Sequence, residues 1–327
     1  MSRTGVFRAL LAGTLAAACA GAPADGPTST SAETIVGGED SGPEDDFVVQ
    51  IFPDEPEPYT DFACSGALVA PNVVLTALHC VSVFDGDRYG CQPDGSTDPS
   101  GAGWIGEPLE PANVAVRFGT EAQLTFAAHG LEIFGSHSTF ACVDDIAFVV
   151  LDTALPARGV ALRNERPVVK GESLTVIGYG QSEVVDARRR RRPGVTVIDV
   201  GPDDQSEGLG TLPARNFLVD DGPCGGDEGA PALSEETGAV VGVFRQTVSG
   251  NCLRAGSYGG FVQVAPLIGL ARQAFEAAGA KLRLETPSPA PLEPRTSCTL
   301  APGDNTPATA APALGVLALL LLRRRMR

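Results

Sequence analysis

Leu75, Thr76, Ala77, Leu78, His79 and Cys80 form one of two stretches that decide the reading of this chain; Cys224, Gly225, Gly226, Asp227, Glu228, Gly229, Ala230 and Pro231 form the other. Both are set among short apolar runs. Gly66 to Val69 and Val73 to Leu75 precede the histidine, and Ala239 to Phe244 follows the glycine-rich stretch. Working outward, similar runs recur at Phe47 to Phe52, Val114 to Phe118, Gly130 to Phe134, Ile146 to Leu151, Ser173 to Gly178 and Val195 to Val200. Gly, Pro, Asp and Asn punctuate them. Many short Val-rich segments with frequent turn residues predict an antiparallel barrel or sandwich. Only Pro266 to Gly279 has a helical period: Leu267, Leu270, Ala271, Ala274, Phe275 and Ala278 share one face, and Gly279 is a natural stop. Asp85 to Pro111 and Pro202 to Asn216 lack either period and are expected as surface loops. Arg188 to Arg192 reads either as a solvated loop ahead of a strand or as an anion-binding or protease-sensitive loop.

Composition narrows the function. The 327 residues correspond to roughly two compact units of about 150 residues. Hydrophobic residues make up 43% and charged residues 20%, a globular rather than a disordered composition. A net charge of -16, from 24 basic and 40 acidic side chains, argues against nucleic acid or an anionic membrane surface as partner. With 2 Met, 1 Trp and 4 Tyr there is no methionine-rich groove and no aromatic platform for bases.

Both ends read as addresses. Residues 1–24, with Arg3, Arg8, the apolar run Ala9 to Ala18 and small residues around Cys19, read as a secretory signal peptide too short to span a bilayer. Cys19 fits a small-residue cleavage region or a weak lipoprotein signal. Residues 25–34 have linker or propeptide composition, and residues 35–282 form the folded domain. A Pro-rich linker, 283–297, then leads to a tail, 298–327, that opens on Cys298, continues through the apolar run Ala310 to Leu322 and ends in an Arg cluster. This tail resembles the myxobacterial C-terminal sorting tails that tether exported proteins to the cell surface. A secreted, surface-anchored protein is the expectation, and export makes disulfides permissible.

Four segments in order, Ile35 to Gly38, Cys64 to Cys80, Asp145 to Val149 and Cys224 to Pro231, resemble the trypsin-like (chymotrypsin-fold) serine proteases from Ile35 to about Ala280. The resemblance implies an all-β fold of two antiparallel six-stranded β-barrels with a C-terminal helix. It implies that His79 is the general base, Asp145 the carboxylate that orients it and Gly226 an oxyanion-hole donor. Asp227 would receive the ammonium of Ile35 after propeptide cleavage. His129 and His137 lie outside these segments and read as structural or surface histidines. The same resemblance implies disulfides Cys64 with Cys80 and Cys224 with Cys252; Cys91 and Cys142 then remain and are expected to pair.

The nucleophile position departs from the family. GDEGAP stands where the family has GDSGGP, which puts Glu228 at the serine. A carboxylate attacks amides poorly and would give an unstable anhydride, and it is bulky enough to take the oxyanion donors itself. Gly222 falls at the base of the specificity pocket, where the anion selecting Arg or Lys is missing, with Asp220 and Asp221 nearby. Arg245 replaces a usual small serine beside the substrate. The expectation is an inactive homologue, a pseudoprotease, that binds polypeptide or a partner protease as a monomer. The alternative is an active endopeptidase with an atypical nucleophile, such as Ser249 or Ser257. A metal site of His79, Asp145 and Glu228 would lack ligands once Asp145 is engaged, so neither metal nor other cofactor is expected.

Overall fold

The computed structural model describes residues 35, 37–54, 63–85, 103–119, 125–180, 188–206, 210–220, 222–248 and 258–286. All of these belong to one compact unit, Met1–Ser288. Valine-rich segments of strand length build two closed barrels, because closing the sheet leaves no unpaired edge around an apolar interior. The first barrel comprises β1 (Val48–Pro53), β2 (Cys64–Ala70), β3 (Val73–Thr76), β4 (Val114–Phe118), β5 (Thr125–Gly135) and β6 (Ala147–Leu151). Its strands run in the order β1-β2-β3-β6-β5-β4 and close through β1 and β4.

The second barrel comprises β7 (Ser173–Gly178), β8 (Arg190–Val200), β9 (Asn216–Asp220), β10 (Pro231–Ser234), β11 (Val240–Thr247) and β12 (Tyr258–Gln263). The order is β8-β7-β10-β11-β12-β9, closed by β8 and β9. Each barrel has its own apolar cluster, with Ile51, Leu68, Leu75 and Phe148 in the first and Val176, Phe217, Phe244 and Phe261 in the second. Helix α1 (Ile268–Ala277) buries Ala271, Ala274 and Phe275 and packs on β5 and β6 of the first barrel. Asn72 Nδ2 donates to Ala278 O at 3.1 Å and pins the helix end.

An ionic staple holds the chain beyond this helix. Arg163, fully buried, donates through Nη2 to Glu172 at 2.7 Å and to Glu285 at 3.0 Å. Thr237 Oγ1 adds a bond to Glu285 at 2.6 Å. These groups hold the Glu285 carboxyl down at about 2 despite burial.

Three strands carry no sequence signal strong enough to predict them: β9, β10 and β12. In β12 the pair Gly259 and Gly260 looks like a turn, yet a Cβ on Gly260 would stand 3.3 Å from Arg245 Nη2. The glycine makes room for a buried guanidinium. The two expected loops also contain ladders, since Trp104–Pro108 pairs with Ser82–Asp85 and Asp203–Ser206 pairs with Gly210–Leu212. The arginine run is not a solvated loop. It starts β8 at Arg190 because Glu39–Asp40 adds to that edge, with Glu39 opposite Arg191 and Asp40 opposite Arg190.

Candidate active site

Antiparallel pairing of β3 with β6 sets Thr76 opposite Ala147, so the chain leaving β3 and the chain entering β6 lie side by side. The 3-10 turn Leu78–Val81 follows β3 directly and carries His79; Asp145 immediately precedes Ile146 and β6. Asp145 grips this turn twice. Its Oδ1 accepts from the His79 backbone N–H at 2.9 Å and its Oδ2 from Nδ1 at 2.6 Å. With Nδ1–H committed to the carboxylate, Nε2 is left as the ring's proton acceptor. Asp145 is 0% exposed and His79 5%, and the Phe84 ring packs on the imidazole at 4.6 Å between centroids. Burial pulls the imidazole pKa down, but the charge and hydrogen bond of Asp145, aided by Glu228, outweigh it and hold His79 above its ordinary value.

The segment Cys224 to Ala230 folds back on itself, with Asp227 N–H donating to Cys224 O at 3.0 Å and Ala230 N–H to Asp227 O at 2.8 Å. Gly229 has φ +84, and a Cβ there would stand 2.1 Å from Ser65 O, so only glycine lets this loop lie against β2. Ser65 N–H donates to Glu228 O at 2.7 Å and completes the contact between the barrels. Glu228 is thereby brought within electrostatic reach of His79. Its Oε2 accepts from Gly226 N–H at 2.5 Å. Burial raises the Glu228 carboxyl; His79 and hydrogen bonds from its own N–H and that of Gly226 oppose the rise. A backbone donor that could stabilise charge on an attacked carbonyl is therefore filled by the chain's own carboxylate, and no hydroxyl stands at this position.

Asp227 points the other way, into the second barrel. It is fully buried and accepts from Gly180 N–H at 2.7 Å, Cys224 N–H at 3.1 Å and Ile35 N at 3.4 Å. Burial pushes its carboxyl up to about 7, since these donors only partly replace lost water and Glu228 adds a like charge.

The model of the trypsin-like peptidase domain family matches residues 64–243, more than half of the chain and the span that carries His79, Asp145 and Glu228. The chain belongs to the trypsin-like peptidase family. It is similar to phenoloxidase-activating factor 1 of Holotrichia diomphalia, 25% identical over 236 residues, covering 65% of this chain but only 62% of that relative. Among solved structures it resembles the scabies mite inactivated protease paralogue S-I1, with a TM-score of 0.56 and 19% identity over 74% of this chain and 99% of the other. That likeness concerns the fold.

Gly222 and Arg245, expected at a specificity pocket, are both buried. Gly222 has φ +150, and Asp220 is committed to Thr196 N–H at 2.6 Å; Asp221 lies outside the described residues. Arg245 is the bulged residue between Phe244 and Gln246 on β11, and such a bulge re-aims a side chain. Its guanidinium is fully buried and Nη1 donates to Ala141 O at 3.1 Å. Thr247 Oγ1 donates to Pro223 O at 3.3 Å, linking the end of β11 to the segment before Cys224. Sequence reasoning missed how the Asp145 segment is held: Arg215 clamps Asp144 through Nε at 2.8 Å, and Asn216 Nδ2 donates to Val143 O at 3.0 Å. No local pattern announces either residue.

Cys64 and Cys80 form a disulfide, S–S 2.00 Å, bracketing the histidine turn. Cys142 and Cys224 are each in a disulfide as well, though not with one another among the described pairs. The partners expected for them, Cys91 and Cys252, lie outside the described residues, as do Cys298, Ser249 and Ser257. His129 stacks on Phe126 and His137 is exposed. Among the described residues only Cys64, His79 and Cys80 cluster as metal ligands would, and both sulfurs are spent in the disulfide. His79, Asp145 and Glu228 do not form such a cluster.

Proposed function

We propose that this trypsin-like peptidase domain is catalytically inert and works by binding polypeptide or a partner protease. One observation carries the reading: the residue at the nucleophile position is a glutamate whose carboxylate accepts the Gly226 N–H. In a serine peptidase that N–H would face the developing oxyanion and the residue at 228 would supply the attacking hydroxyl. Here one substitution removes the nucleophile and fills the donor. The direct bridge from Thr247 to Pro223 and the buried Arg245 also fit a cleft that no longer seats a basic side chain for cleavage. A fold neighbour is named as an inactivated protease paralogue, which accords with this fold outliving catalysis.

A fluorophosphonate probe tests this reading on the mature protein, because it esterifies only an activated serine. No labelling is expected, together with retention of a partner protease or unfolded polypeptide on the immobilised chain. Stoichiometric labelling, at Ser249, Ser257 or elsewhere, would establish the active endopeptidase instead. The second part of the proposal is export and tethering through Cys298. Cys298→Ala should release the protein into the medium, and unchanged surface retention of that variant would remove the tail from the account.

A further inference from the structure

Beside the His79 turn lies a small sheet that the chemistry at Glu228 does not use. Ser82–Asp85 pairs with Trp104–Pro108, which sets Phe84 opposite Ile105 and Asp85 opposite Trp104. The second of these strands also meets the segment before Asp145. Trp104 bridges to Phe140, Ile105 N–H donates to Thr139 O at 2.9 Å, and Ala141 N–H donates to Gly103 O at 2.9 Å. Ile105 is buried, and the Phe84 ring is the one that packs on His79. Trp104 turns outward. It is 49% exposed and is the only tryptophan of the chain.

The indole lies over Gly106, where a Cβ would stand 2.7 Å from its Cη2 and 2.8 Å from its Cζ3. Glycine at 106 therefore lets the ring rest on the strand while about half of its surface stays in water. Arg117 already lies over the rings of Phe52 and Phe126, at 4.6 and 4.8 Å; among the described residues no cation lies over Trp104. Its surroundings are anionic. Glu107 and Glu110, on the same strand and just past its end, are exposed and meet no cation among the described residues. Ser82–Asp85 and residues 104–113 and 139–141 contain no Lys or Arg. An open indole face with carboxylates close by in the chain suits a bound cation, because the ring quadrupole attracts the charge and the carboxylates accept its N–H groups. A guanidinium fits better than an ammonium, since its planar group can stack and hydrogen-bond at once.

We propose that Trp104, with Glu107 and Glu110, is a docking site for an arginine-bearing segment of a partner polypeptide. The net charge of -16 steers such a partner toward the chain and repels an acidic one. The proposal rests on the reading that the domain works by binding polypeptide, and it gives that partner a chemistry and a place outside the pocket region.

An arginine nonapeptide, which contains no tryptophan, tests the site on the full chain at physiological salt. Tryptophan-selective excitation then reads Trp104 alone. Saturable quenching of this emission is expected, with an arginine peptide binding more tightly than a lysine peptide of equal length. Followed by anisotropy of a labelled peptide, Trp104→Ala should weaken binding about threefold to fivefold, Trp104→Phe less, and Glu107→Gln/Glu110→Gln about as much as Trp104→Ala. Glu165→Gln/Glu276→Gln removes the same charge from exposed positions elsewhere and should bind like the parent. Emission unchanged at saturating peptide overturns the proposal. So does parent-like binding by Trp104→Ala, or equal weakening by the two glutamine pairs. The inertness at Glu228 stands or falls separately: fluorophosphonate labelling with Trp104-dependent binding removes inertness and keeps the site, whereas no labelling with binding indifferent to Trp104 keeps inertness and removes the site.

Discussion

Glu228→Ser places a hydroxyl beside an imidazole already oriented by Asp145 at 2.6 Å and frees the Gly226 N–H that the glutamate now occupies. Losing one triad member costs on the order of 10⁴-fold to 10⁶-fold in comparable enzymes, about 5–8 kcal/mol of transition-state stabilisation. An oxyanion donor accounts for about 3–4 kcal/mol of such stabilisation. Both become available in the variant, but positioning does not. Arg245 stays buried and Thr247 still bridges to Pro223, so an amide substrate with a basic side chain finds no seat and forfeits most of the several kcal/mol that near-attack geometry supplies. The expected outcome is a weak revertant. Hydrolysis of an activated ester should rise about 10²-fold to 10³-fold over the parent, and an arginine amide should gain less than about tenfold, which is the ester gain with the positioning share removed. Fluorophosphonate should label residue 228 once per molecule. Glu228→Ala, which frees the donor without adding a hydroxyl, is the control and should stay near the parent. Efficient cleavage of arginine amides by Glu228→Ser would refute the pocket argument. Complete inertness toward both ester and probe would refute the claim that the His79–Asp145 pair and Gly226 remain competent.

Three further outcomes follow from the charges. His79 is held above its ordinary value, so its contribution to stability is full below pH 6.5 and is lost as pH rises through the folded-state value; Glu228→Gln should lower the imidazole pKa in an NMR titration, and identical titrations would contradict the contact. Asp227, at about 7 in the fold against 3.8 when unfolded, binds its proton more tightly in the native state, so stability of the uncleaved chain should fall as pH rises from about 4 to 7; urea midpoints of Asp227→Asn should lose that slope, and an unchanged slope would assign it elsewhere. Arg163→Met should cost about 3 kcal/mol by removing the buried partner shared by Glu172 and Glu285, with most of the loss recovered in Arg163→Met/Glu285→Leu. Because Glu285 sits at about 2, the staple's stability is present above pH 4.5 and fades as pH falls toward 2, which acid titration of the parent against Glu285→Leu would show.

Residue order alone was enough for the class of fold and for the departure at position 228. Val114–Phe118 and Ser173–Gly178 are legible as strands, and the helix around Ala271, Ala274 and Phe275 as a helix, because a short apolar run bounded by turn residues and a side-chain period of 3.6 are short-range properties of the chain. The replacement of a hydroxyl by a carboxylate at Glu228 is a fact of residue identity and needs no coordinates. Tertiary structure alone decided where that carboxylate goes: onto the Gly226 N–H, through a loop that Gly229 lets rest on Ser65. It alone decided that Arg215, Asn216 and Arg245 grip the segment from Ala141 to Asp145 across more than seventy residues of chain. Arg189 to Arg191 show the reason most plainly. A run of cations looks solvated until the fold sets an acidic segment 150 residues distant beside it, and only then can Arg189 be buried and Arg190 and Arg191 enter a strand half-covered.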